Sequence, residues 1–160
     1  MDAPNKTPFA VERVMWPKAG HPAEERSAAY GQRLNITVVF TSVKSTIPAL
    51  RQAGMLARNL GAQITLLVLQ LVPYPRSLDS SPVEAEWNRN RLEEMAAQCT
   101  APTTVRVYLC RNRLETLTSV LRSGSIVVIG RRSNFWPTSE VLLADKLRRR
   151  GYEVILTGAE

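Results

Sequence analysis

The chain has 160 residues, 44% of them hydrophobic and 22% charged, with a formal net charge of +7. That length suits one domain, and the apolar fraction excludes wholesale disorder. No run approaches the roughly 18 apolar residues that span a bilayer. The longest, Ile64 to Val72, contains Thr65 and Gln70. The N-terminus lacks the charged-then-apolar pattern of a signal peptide, so the cytoplasm is the expected compartment. Residues 1–34 hold Pro4, Pro8, Pro17 and Pro22 and read as a Pro-rich, flexible leader. Within it, Phe9 to Trp16 fits an edge strand or a helical turn.

The domain is expected over 35–160. Ile36-Thr37-Val38-Val39-Phe40 is short, apolar and β-branched, as a strand buried on both faces must be. Ser45 or Thr46 offers a helix cap, with Pro48 in the first turn. Leu50, Ala53, Ala57 and Leu60 then follow helical spacing, and Gly61 supplies a left-handed stop. Ile64 to Leu71 is a second strand. A Pro- and Ser-rich loop leads to the capping box Ser81-Pro82-Val83-Glu84. The helix it opens runs to about Ala97, burying Val83, Trp87, Leu92 and Met95.

Val105, Val107 and Leu109 alternate as a third strand, and Asn112 with Glu115 forms another capping box. Leu114, Leu117 and Leu121 mark the next helix, expected to end at Gly124. Ser125 to Ile129, closed by Gly130, is the fourth strand. Thr138 or Ser139 caps a helix carrying Val141, Leu143, Ala144 and Leu147 and ending at Gly151. Tyr152 to Leu156 is the last strand. Strands alternating with helices predict an α/β fold: three layers, with a doubly wound sheet of five parallel strands.

The positive charge is dispersed. It is +3 over 35–72, −2 over 73–100, +3 over 101–125 and +2 over 126–160. The densest block is Arg148-Arg149-Arg150, in a helix's last turn, where the helix dipole accounts for it. No aromatic and basic residues interleave, which argues against a dedicated nucleic-acid binder. Cys99 and Cys110 lack metal-ligand spacing, and the one histidine, His21, lies in the leader, so no metal site is expected. Cys110 stands beside Arg111 and Arg113, which would activate it if exposed, but a buried, idle cysteine is the commoner case.

Residues 36–69 carry a resemblance. Ile36 to Phe40, then Ala49-Leu50, Ala53, Leu56-Ala57-Arg58, Leu60-Gly61-Ala62 and Ile64 to Leu67, resemble the opening of a universal stress protein domain. Ile126-Val127-Val128-Ile129-Gly130, then loop, helix and final strand, resemble its end. The similarity covers about residues 35–157. It implies the Rossmann-like, adenine-nucleotide alpha-hydrolase-like sheet with strand order 3-2-1-4-5. Many members bind ATP in the crevice between strands 1 and 4, the topological switch point.

The nucleotide motif of that family is incomplete here. ATP-binding members carry an acid ending strand 1, where this chain has Thr41. They also carry a Gly-x2-Gly-x9-Gly-Ser/Thr loop, whose glycines let backbone N–H groups approach phosphates. Gly130 matches the first glycine, but Ser133 stands at the second, and Leu143-Ala144 at the last pair. Phe135, Trp136 and Pro137 lie between, placed either to plug the space or to stack on a base. The resemblance therefore implies lost or weak ATP binding, with no cofactor expected.

Thr41, Ser42, Lys44, Gly130, Arg131, Arg132 and Ser133 remain the candidate crevice for a small anionic ligand. The bland alternative is solvated loop-end cations. The last strand, with Tyr152, Val154 and Leu156, should be a sheet edge, and family members often dimerise through it. No catalytic residue is expected, for want of a usable histidine, paired carboxylates or a phosphate loop. The reading is a non-catalytic stress-response or regulatory module with an unidentified protein partner. The alternative is a nucleotide- or anion-binding protein.

Overall fold

The computed structural model describes residues 9–13, 34–72, 91, 94–97, 99, 101–122, 124–132 and 139–158. Six strands run through them: β1 (Phe9–Arg13), β2 (Asn35–Val39), β3 (Gln63–Leu71), β4 (Thr103–Cys110), β5 (Ile126–Gly130) and β6 (Glu153–Thr157). Three helices join them: α1 (Val43–Leu60), α2 (Arg113–Val120) and α3 (Ser139–Arg149). Residues 91 and 94–97 are also helical. The expected second helix otherwise lies outside the described residues, Trp87 and the Ser81 box included.

All pairings are parallel, and the order is β1-β4-β3-β2-β5-β6. The last five are the strands expected from the sequence, in the order 3-2-1-4-5 that the resemblance implies. The addition is β1, so the edge-strand alternative for the Phe9 segment is the one adopted. Its backbone pairs Phe9 with Val105 and Arg13 with Leu109, covering the outer edge of β4.

Both faces of the sheet are covered. On one, Ile36, Val38, Ile64, Leu66 and Val105 meet Ala49, Leu50, Ala53 and Ala57 of α1, with Met95 and Ala96. On the other, Val39, Leu67, Val127 and Ile129 meet Leu117 of α2 and Ala144 and Leu147 of α3. The central strands are mostly apolar because successive side chains enter one core or the other.

Helix α1 starts earlier than the sequence suggested. Its cap is Ser42, whose Oγ accepts from the Ser45 N–H at 3.2 Å, while the two hydroxyls bond at 2.9 Å. Pro48 accordingly lies inside the helix rather than in its first turn, and α1 forgoes the bond to the Lys44 carbonyl. The expected stop at Gly61 is there, with φ 64°. Leu60, expected on the buried face, is 47% exposed. In α2 the Asn112 side chain accepts from the Glu115 N–H at 3.2 Å, as expected. That helix is capped by Leu121, and Gly124 (φ 80°) belongs to the turn after it. Among the described residues no helix is long and apolar enough to cross a membrane.

Candidate functional site

The strand order reverses between β2 and β5, so the crevice of interest lies at their C-terminal ends. Two contacts occupy it. Thr41, just after β2, donates its hydroxyl to the Gly130 carbonyl at 3.0 Å. Its own N–H is bound by Thr46 Oγ1 at 3.2 Å. Gly130, ending β5, lies directly under the first turn of α1. A Cβ there would overlap the Ser45 carbonyl oxygen and come within 2.6 Å of its carbon. The missing side chain of Gly130 thus lets helix and strand touch.

The candidate cations separate from this seam. Arg131 is half-buried, and its N–H donates to the Thr157 carbonyl at 3.0 Å, continuing the β5–β6 ladder. Arg132 is exposed, with Nε 3.7 Å from Oε1 of the buried Glu140. Lys44 is exposed in the first turn of α1. Ser133, Phe135 and Trp136 lie outside the described residues.

Lys44 and Arg132 do line one groove, of about 1080 Å³, between α1 and the end of β6. Ser42 shares it, but Thr41, Gly130 and Arg131 are not in its lining. The residue missed from sequence is Arg51 of α1, which is absent from the candidate crevice. It enters the same groove because seven residues, close to two helical turns, return it to the side of Lys44. Pro48, Met55 and Leu56 supply the apolar part of the stripe. No residue in the described lining is acidic.

At the β6 edge, the side chains named from sequence face inward. Val154 is buried, and Tyr152 and Leu156 are half-buried against the α2–α3 core. Tyr152 also donates its hydroxyl to the Leu121 carbonyl at 3.4 Å. What β6 presents outward is backbone. Thr157 directs its carbonyl to β5, so by the period of two Val154 directs its own to the free side. Arg148 meets it there, donating from Nη2 at 2.9 Å. The basic run on α3 therefore has a local hydrogen-bonding role as well as its place at a helix C-terminus.

Cys110 is fully buried, and burial pushes its thiol above the ordinary range. A hydrogen bond with Thr116 and the charge of Arg113 act in the opposite direction and are outweighed. It is the idle cysteine, not the activated one. Among the described residues, no three His, Cys, Asp or Glu side chains come together as a metal site.

No protein-family model matches the sequence, and no curated protein matches it. Solved structures do match the fold. A universal stress protein from Archaeoglobus fulgidus superposes with a TM-score of 0.56 at 17% identity, over 77% of this chain and 92% of its own. The universal stress protein UspA from Lactobacillus plantarum gives 0.54 at 16% identity, over 79% and 99%. A universal stress protein in complex with cAMP gives 0.54 at 12% identity, over 81% and 100%. The resemblance seen in residues 36–69 thus extends to the fold as a whole.

Proposed function

We propose that this chain is a non-catalytic regulatory module of universal-stress type whose crevice between β2 and β5 does not take ATP in the manner of the nucleotide-binding members. The observation that carries the reading is the closed seam: Thr41 bonded to the Gly130 carbonyl, and Gly130 against Ser45. The sequence supports it from a second direction. Thr41 replaces the acid that ends strand 1 in those members, and Ser133 and Leu143 interrupt the glycine pattern. The single histidine and the absence of a phosphate-loop motif support a non-catalytic role. The module works in the cytoplasm as a homodimer, paired antiparallel through the backbone edge of β6.

A second reading, small-anion binding, is favoured by one observation: Lys44 and Arg132 share a groove. One set of measurements tests both. Protein purified without added nucleotide is denatured, and the supernatant is read by absorbance ratio and mass spectrometry. The native protein is then titrated calorimetrically with ATP, diadenosine polyphosphates, cyclic dinucleotides and cAMP, the last because a structural neighbour holds it. We expect no co-purifying nucleotide and no heat with ATP. A stoichiometric nucleotide overturns the first reading, and silence with every ligand removes the second.

A further inference from the structure

We infer that the groove between α1 and β6 is a docking site for an acidic peptide segment of a partner protein, one that carries carboxylates around an apolar side chain. Three observations lead there. The first is charge of one sign. Lys44, Arg51 and Arg132 line the groove, and no acidic residue does among those described. Glu140 approaches Arg132 only at 3.7 Å and lies buried behind it, leaving the arginine side chain 64% exposed.

The second is shape. The lining follows α1 from Ser42 to Asn59, about 25 Å along the helix axis at ~1.5 Å per residue. That is the span of roughly eight residues of extended chain, longer than one compact anion needs. The third is chemical mixture. Between the cations at 44 and 51 and beyond them stand Pro48, Met55 and Leu56, and Met55 is 67% exposed. A methionine adapts its shape to an inserted apolar group. A free polyphosphate has no use for that stretch, whereas an acidic peptide with an apolar residue matches both parts. A second copy docked groove to groove is a poor occupant, because it would set the same three cations against each other. The inference stands whether or not a nucleotide binds between β2 and β5.

The test is fluorescence anisotropy of the full chain with a short labelled peptide alternating glutamate and leucine. An all-glutamate peptide and sodium triphosphate serve as competitors. We expect the glutamate–leucine peptide to bind best and to weaken steeply with salt. Lys44→Glu combined with Arg51→Glu should weaken it by about tenfold or more, and Met55→Asp should weaken it with no loss of folding, as both positions and Met55 are exposed. Arg149→Glu, on α3 and outside the groove lining, should leave it unchanged. Amide shifts on titration should map to α1. No binding at low salt overturns the proposal, as does indifference to the α1 substitutions. Equal competition by triphosphate overturns it in favour of a small-anion site. Binding that emerges only after Asp79, Glu84 and Glu86 are neutralised overturns it in favour of the chain's own acidic stretch.

Discussion

Gly130 shows how one absent methyl group sets the distance between a helix and a sheet. The family resemblance places it at the first glycine of an otherwise interrupted nucleotide motif. In the structure its Cα instead meets the Ser45 carbonyl, a backbone group that cannot rotate away. Gly130→Ala should therefore lower stability by about 1–3 kcal/mol, read from the urea midpoint at constant slope. An unchanged midpoint would mean that α1 can shift without loss. Cys110 makes the opposite point, since its arginine neighbours in sequence do not govern its chemistry. Burial raises the thiol more than Thr116 and Arg113 lower it. In the native protein Ellman's reagent should react with half-buried Cys99 and spare Cys110 until the chain unfolds. The sign of the shift also fixes a pH effect. The unfolded thiol ionises first, so its contribution to stability is present below about pH 9 and lost as pH rises above it. Cys110→Ala should flatten that alkaline slope.

Helix α1 separates what a sequence states from what it leaves open. Its interior was legible: Leu50, Ala53 and Ala57 recur at helical spacing and are buried, and Gly61 has the left-handed φ that a stop needs. Its start was not. Ser42, Ser45 and Thr46 are all competent caps, and Pro48 favours a start just before itself. Packing decides, because a helix begun at Val43 brings Ser45 onto Gly130 and lets Ser42 Oγ reach the Ser45 N–H. Pro48 is then left in the interior, where proline is disfavoured. Pro48→Ala should raise stability by about 1–3 kcal/mol, measured by the same urea titration. A fall would show that the ring's packing outweighs the missing bond. The Asn112–Glu115 box was readable without such help because only one capping residue stands there. The same ambiguity hid Arg51: a cation seven residues from Lys44 is a groove residue only once the helix's start and rotation are fixed.

At the scale of the molecule, the two edges of the sheet are treated differently. The edge at β6 keeps an open backbone, tempered by the Arg148 bond to Val154, with Asp145 3.6 Å from the same guanidinium. Any strand that pairs there must displace Arg148. Arg148→Ala should therefore tighten self-association by about tenfold, the worth of one charge-assisted hydrogen bond, as followed by sedimentation equilibrium. Weaker association would make Arg148 part of the dimer contact instead. Five strands were legible as apolar runs and their order was implied by the family resemblance alone, but β1 was not legible, because five residues in a Pro-rich stretch carry too little pattern to separate strand from turn. That strand has a consequence for how the chain assembles. Phe9 finds its partner Val105 across a sequence separation on the order of a hundred residues, the longest-range pairing in the sheet. On a ribosome β1 would emerge before β4 and wait for it, so that edge of the sheet closes only once β4 has been made.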